Sequence, residues 1–182
     1  MPDDAHPTRQ ALLGAGLTLA DTGSLGSMSV DVIVAEAGVA KGTFYVHFKD
    51  RAGYLEALHR HFHEQLRDAV RDAAGDLPRG GARLRASTVA YLDACLAARG
   101  VKAMLLDARG EPAVANAVSA SNDRFATAAK PDFDALGVAH PIDTARLFVA
   151  MVAETALLEL AKGKRRPTLR AALWDLAGLS ES

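Results

Sequence analysis

Between Ser29 and Leu55 the chain reads SVDVIVAEAGVAKGTFYVHFKDRAGYL, and its polar side chains are spaced to meet a polyanion rather than to catalyse a reaction. Lys41 and Thr43 carry donors that can reach base edges or phosphates. Tyr45, His47 and Ser29 carry hydroxyl or ring N–H groups that suit phosphate oxygens, and Val46 offers a surface to a thymine methyl. Gly42 leaves the backbone bare, which is useful where another surface must come close. Phe44 and Phe48 lie four residues apart and face a core, so the polar set is displayed on the other sides of the same short helix.

These side chains need a scaffold. Ser29 is a suitable N-cap, because its hydroxyl can accept from the free backbone N–H groups of a first helical turn. Val30, Ile33, Val34 and Ala37 then recur at i, i+3, i+4 and i+7, which puts one apolar stripe on a short helix. Gly38 suits the left-handed position that ends a helix, with Val39 making the hydrophobic contact beyond it. A second short helix starts near Ala40. Asp50 can cap a third, whose inner face is Tyr54, Leu55 and Leu58. Two short helices across a tight turn, with another helix following at once, are the layout of a DNA-reading helix-turn-helix. Upstream, Thr8 is expected to cap a first helix running to about Asp21, with Leu12, Leu13, Ala15, Gly16, Leu17, Leu19 and Ala20 on its apolar face.

The A-G-V turn, the GTFYVHF run and the capped helix after it together closely resemble the TetR (tetracycline-repressor) family of transcriptional regulators. The resemblance implies an all-α chain with an N-terminal three-helix helix-turn-helix DNA-binding domain, residues 1–51. A C-terminal helical ligand-binding and dimerisation domain, residues 52–182, follows. It also implies that the third helix enters the major groove. Lys41, Gly42, Thr43 and Val46 are then assigned to base edges, and Ser29, Tyr45, His47, Lys49 and Arg51 to phosphates. The chain departs from the family pattern near Ala20 and at Ser24 and Leu25, where such proteins often carry a large aromatic and a Gly–aromatic pair. Met28 and Leu25 are expected to fill the gap.

Pro and Gly punctuation divides the rest into helices: Ala52–Ala74, Ala82–Arg99, Val101–Arg109, Pro112–Ala129 with a resumption from Pro131 to Leu136, Pro141–Ala161 and Thr168–Leu179. No strand-like alternation stands out. Leu147, Phe148, Met151, Val152, Thr155, Leu158 and Leu160 run round more than one face of Ile142–Ala161, so that helix must be buried on most sides. A two-fold interface made from it and Thr168–Leu179 would bury it, as the family resemblance also implies. Tyr91, Cys95, Met104, Phe125, Phe148 and Met151 are candidate lining for a cavity that holds a small apolar effector, ordinary core being the alternative for each. Asn122, Asp123 and Arg124 are either polar anchors there or a solvated face.

The 182 residues are 49% hydrophobic with a net charge of −1, which excludes a disordered chain and a strongly basic nucleic-acid coat protein. In the first fifty-odd residues the few cations, Arg9, Lys41, Lys49 and Arg51, are roughly balanced by Asp21, Asp31, Glu36 and Asp50. Non-specific DNA affinity should therefore be weak and salt-sensitive, and a dimer is needed to double a few well-placed contacts. Cys95 is the only cysteine, so no internal disulfide forms. The polar N-terminus lacks a secretory signal, and no apolar run reaches the roughly eighteen residues of a membrane span, so a soluble cytoplasmic protein is expected.

Glu56, His59 and His63 share one helical face with ligand-compatible spacing, but such a set is usually a solvated polar face and no metal is expected. Cys95 reads as an inert helix cysteine rather than a redox sensor. The basic run Lys162–Arg166 reads as a solvated turn. No phosphate loop, nucleophile elbow or paired catalytic motif is present, so neither an enzyme nor a cofactor is expected. The expected function is a homodimeric, ligand-responsive transcriptional repressor on a palindromic DNA operator, released by a small apolar effector. The alternative is a helical small-molecule carrier or interaction protein that kept the helix-turn-helix form and lost DNA binding.

Overall fold

A computed structural model describes residues 6–22, 28–102 and 112–180, and every regular element among them is helical. The helices are α1 (Pro7–Thr22), α2 (Val30–Ala37), α3 (Lys41–His47), α4 (Arg51–Ala74), α5 (Gly81–Ala97), α6 (Pro112–Ala135), α7 (Pro141–Leu160) and α8 (Pro167–Leu176). Residues 99–102 are helical too, and the rest of the helix expected over Val101–Arg109 lies outside the described residues, as does Leu25. The chain divides into two compact units. One comprises Met1–Glu64 with Ala98–Val118, the other Gln65–Ala97 with Ser119–Ser182, and the cut falls inside α4.

The first unit is held by an aromatic and aliphatic core. Leu12, Leu13, Ile33, Phe44, Phe48, Tyr54, Leu55 and Leu58 are buried, and so is Met28. Phe44, Phe48 and Tyr54 form a ring cluster with centroids 5.1–5.4 Å apart. The Tyr54 hydroxyl donates to the Leu12 carbonyl at 2.9 Å, and burial pushes its phenol above the ordinary range. A Cβ on Gly16 would overlap that hydroxyl and press on Leu58, so only glycine lets α1 pack this closely on α4. Arg9, counted among the few cations of this region, is instead buried with its guanidinium 5.2 Å from the Phe48 ring centroid.

Helix α1 starts at Pro7 rather than after a Thr8 cap. Proline is preset for a first helical position and has no N–H to satisfy, while the Thr8 N–H donates to His6 Nδ1 at 3.3 Å. His59 and His63 are buried with ring centroids 4.2 Å apart, so the solvated-face expectation fails for both. They continue the α4 stripe of Leu55, Phe62 and Leu66, whose spacing carries them onto the core side.

In the second unit α6 runs unbroken through Pro131, where the sequence suggested a pause. The missing proline donor is tolerated because the following turn is anchored from outside the helix. Asp132 is buried and accepts from the Gly80 N–H at 3.2 Å, and Phe133 packs on Phe148 at 5.5 Å between centroids. A buried ionic network joins α5, α7 and α8. Glu159 accepts from Arg170 Nε and Nη2 at 2.8 and 2.7 Å and from the Arg166 N–H at 2.8 Å, while Arg170 and Arg165 both reach Asp93. Glu159 thereby satisfies the start of α8, which begins at Pro167 without the expected Thr168 cap. The helix ends at Leu176 rather than Leu179. Gly178 turns left-handed there, and the Leu179 N–H returns to the Trp174 carbonyl at 2.8 Å.

Within one chain α7 is not covered on all sides. Phe148, Val152, Thr155 and Ala156 are buried, but Leu147 is 69% exposed and Leu158 also reaches solvent, as does Leu176 of α8 at 77%.

Candidate nucleic-acid interface and cavity

The approach to α3 is fixed by local hydrogen bonds. The Val32 N–H donates to Ser29 Oγ at 3.3 Å and caps α2. Gly38 ends α2 at φ 66°, and the Val39 N–H donates to the Val34 carbonyl at 3.0 Å. Helix α3 follows within three residues and is closed by the Phe48 N–H on the Phe44 carbonyl at 2.8 Å. Asp50 Oδ1 accepts from the Gly53 N–H at 2.8 Å, as expected of a cap. The turn geometry and the Phe44 anchor therefore leave α3 little freedom to roll.

That orientation divides α3 sharply. Phe44 is fully buried, whereas Val46 is 76% exposed and Lys41, Gly42 and Tyr45 are exposed beside it. These four occupy i, i+1, i+4 and i+5 of one helical face. Nothing lies within 4 Å of a Cβ on Gly42, so the face is open at its glycine. Thr43 and His47 are half-buried at its edges, and the His47 ring lies 4.8 Å from that of His6. Lys41 Nζ sits 2.8 Å from Asp31 of α2, whose hydrogen bond and charge hold the ammonium above its ordinary pKa.

Of the flanking phosphate candidates, Ser29 and Lys49 are exposed. Arg51 is half-buried, and its Nε donates to the Met28 carbonyl at 3.0 Å, so it also braces the entry to α2. The arrangement is an exposed apolar-and-cationic face with hydroxyl, imidazole and ammonium groups around it, chemistry suited to base edges and phosphates.

The second unit contains a cavity of about 620 Å³ lined from α4, α5, α6, α7 and the α4–α5 turn. That volume is in the range of small-molecule sites. It brings together three of the six candidate lining residues, Tyr91, Phe125 and Phe148. The Tyr91 and Phe125 rings meet edge-on at 5.5 Å. Cys95 is buried and Met151 half-buried, and neither lines the cavity. Met104 lies outside the described residues. Asn122 and Arg124 contribute to the wall, whereas Asp123 is exposed and near Arg146.

The cavity expected to hold a small apolar effector is not purely apolar. Arg67, Arg71, Arg79, Arg83 and Arg124 line the cavity with Asp68 and Asp132. The i, i+4 spacing of Arg67 and Arg71 was legible on α4. The pairing of Arg79 and Arg83 with Asp132, each at 3.6 Å, joins residues some fifty positions apart and left no local signal. Among the described residues no group of three or more His, Cys, Asp or Glu side chains could hold a metal ion, and no helix is long and apolar enough to cross a membrane.

Residues 12–62 match the family described as bacterial regulatory proteins, tetR family. The HTH-type transcriptional regulator BetI of Escherichia coli O45:K1 (strain S88 / ExPEC) is 35% identical over 81 residues, 44% of this chain and 42% of that one. This chain therefore spans less than half the length of the curated relative it matches. Among solved structures, a transcriptional regulator from Rhodococcus sp. Rha1 is similar with a TM-score of 0.78 at 21% identity, over 94% of each chain. A TetR-like transcriptional regulator from Rhodococcus sp. RHA1 has a TM-score of 0.68 at 19% identity, over 98% of this chain and 95% of that one. These likenesses extend the shared fold beyond the N-terminal match to nearly the whole chain.

Proposed function

We propose that this chain, whose residues 12–62 match the TetR family, is a cytoplasmic, homodimeric transcriptional repressor of that family that binds a palindromic DNA operator and leaves it when a small effector fills the cavity of the second unit. The observation that carries the reading is the exposed α3 face. Lys41, Gly42, Tyr45 and Val46 are displayed by a helix whose opposite side is locked into the core through Phe44. An exposed valine beside a bare glycine and a lysine suits base edges and thymine methyls of a major groove. Ser29, Thr43, His47, Lys49 and Arg51 surround it as further base and phosphate contacts.

In this reading residues 1–51 read DNA and residues 52–182 sense the effector and dimerise. The exposed Leu147, Leu158 and Leu176 are the interface, joined by the half-buried Met151. The effector has a substantial apolar body, held by Tyr91, Phe125 and Phe148. It must bind the DNA-free conformation better than the DNA-bound one, and operator DNA must weaken effector binding by the same factor. Helix α4 contributes Arg67 and Arg71 to the cavity and begins directly after the reading segment. A tilt of α4 would change the separation of the two reading helices in the dimer and mismatch the half-sites.

Selection of bound duplexes from random DNA, with and without added salt, tests the reading. A palindrome should emerge whose half-sites are centred about one helical turn, roughly 34–36 Å, apart. Lys49→Ala should lower the slope of log affinity against log salt by about one unit while leaving the selected sequence unchanged. Failure to enrich any sequence at any salt would favour the carrier alternative.

A further inference from the structure

The two ends of the cavity differ in chemistry. On α6, Asp132 faces Arg79 and Arg83 at one end, and Phe125 meets Tyr91 of α5 at the other. From Arg83 to Tyr91 the α5 wall rises about 12 Å and passes from guanidinium through Leu84 and Thr88 to aromatic ring. The charged end is the solvent side. Arg71 and Arg79 have side chains 70% and 50% exposed, whereas Tyr91 and Phe148 are buried. The cavity therefore has a cationic mouth and an aromatic floor.

The mouth is not electrically balanced. The buried Asp132 carboxylate is shared by two arginines, each held at 3.6 Å, a length at which neither makes a close charge-assisted hydrogen bond. Arg83 Nη1 donates to the Gly75 and Leu77 carbonyls at 3.2 and 3.3 Å, which fixes its guanidinium at the rim. Arg79 is the more accessible fork. Arg71, also at this end, is paired with Asp68 at 2.9 Å and lies 3.6 Å from Asp72, so the surplus at the mouth is the second guanidinium on Asp132. A cationic guest would meet this surplus at the entrance, and a neutral one would leave it unused.

We propose that the effector is an amphipathic organic acid whose carboxylate is taken by Arg79 and Arg83 at the mouth of the cavity and whose apolar body extends to Tyr91, Phe125 and Phe148. The proposal rests on the reading of this cavity as the effector site and adds the chemical class of its occupant. Guanidinium forks match a carboxylate in two parallel hydrogen bonds, and the adjacent rings remove the body from water. An acid of this form is oriented on entry, tail first, so both ends are matched at once.

Two matched series test the class on the full-length protein by titration calorimetry. They are octanoate, 1-octanol and octylamine, and 4-phenylbutyrate, 4-phenylbutanol and 4-phenylbutylamine. In at least one series the acid should bind about tenfold more tightly than the alcohol, with the amine weakest, the difference expected for a charge-assisted contact. Arg79→Gln should remove most of the preference for the acid and leave alcohol binding unchanged. Arg83→Lys keeps the charge, loses the fork and should reduce the preference part-way. The alcohol or the amine binding as well as the acid in both series, no binding by any of the six, or an acid preference unaltered by Arg79→Gln would each overturn the proposal. Release of selected DNA is measured in parallel and separates the two readings. An acid that binds with the Arg79-dependent preference but releases no DNA leaves the class standing and removes the switch. Release by the alcohol or amine alone keeps the switch and removes the class.

Discussion

Lys41 Nζ lies 2.8 Å from the Asp31 carboxylate, so the first cation of the reading helix is held by the preceding helix across the turn. Both side chains are more than half exposed, and such pairs are easily exchanged for another anion. For Lys41 to reach a base edge or phosphate it must leave Asp31, so the pair competes with the DNA for this cation. Lys41→Ala should weaken binding to the selected duplex by roughly tenfold to a hundredfold and relax its sequence preference. Asp31→Asn should tighten binding, and the gain should vanish in the Asp31→Asn/Lys41→Ala double variant. Fluorescence anisotropy on the four proteins closes the cycle. A gain from Asp31→Asn that persists without Lys41 would show that the carboxylate acts on the DNA directly.

Gly16 and Gly42 should respond in opposite ways to a side chain. At Gly16 a Cβ meets the buried Tyr54 hydroxyl, which is fixed by its bond to Leu12. Gly16→Ala should therefore destabilise the fold by about 1–3 kcal/mol, the usual cost of overpacking. At Gly42 a Cβ meets nothing, so Gly42→Leu should keep its melting temperature within a few degrees while losing affinity for DNA. Thermal unfolding and anisotropy on both variants decide this. Loss of stability in Gly42→Leu would mean that the α3 face is packed rather than open.

The all-helical class and the turn into α3 were legible because their signals are local. A cap at Ser29, a stripe at Val30, Ile33, Val34 and Ala37, and a glycine at 38 each act within one or two helical turns. The misses share a different cause. Arg9 was counted with the few N-terminal cations and became a lid on Phe48. His59 and His63 read as a polar face and became core, because a three-dimensional neighbour decides the environment of an amphipathic side chain. Pro131 read as a pause and was carried through by anchors at Asp132 and Phe133 whose partners lie on other elements. The aromatic half of the cavity was readable from Tyr91, Phe125 and Phe148 as apolar helix positions. Its charged half depends on Arg79, Arg83 and Asp132 converging over long sequence distances.

The Glu159–Arg170 pair should set part of the acid stability of the protein. Burial by itself raises the Glu159 carboxyl, but the hydrogen bonds from Arg170 and the Arg166 N–H, with the charges of Arg170 and Arg165, outweigh it and leave the carboxyl below its ordinary value. A carboxyl depressed in the folded state stabilises above its unfolded pKa, about 4.3, and loses that contribution as pH falls through the folded value. Glu159→Gln should cost about 2–3 kcal/mol at pH 7, less than a fully orphaned buried charge because Arg170 keeps Asp93. Urea unfolding from pH 7 to pH 3 should show the difference between wild type and variant shrinking on the acid side. A constant difference across that range would mean that Glu159 is not ionised in the fold.

Leu147 and Leu176 are the most exposed leucines of the second unit, at 69% and 77%, and with Leu158 they give α7 and α8 an apolar surface that nothing in the single chain covers. Leu147, Met151 and Leu158 recur at i, i+4 and i+11 along one side of α7, with the exposed Glu154 between them at i+7. Because Leu147 is exposed, Leu147→Glu places its charge in water in the monomer and should leave the fold intact. Against a second copy the same charge would be buried without a partner, which costs several kcal/mol. Sedimentation at micromolar concentration should therefore find a wild-type dimer and a folded Leu147→Glu monomer, with circular dichroism unchanged. The monomer carries one reading helix, loses the second half-site and should bind the selected palindrome no better than an isolated half-site. A dimeric Leu147→Glu protein, or a monomeric variant with undiminished affinity, would remove this face as the interface through which two reading heads are joined.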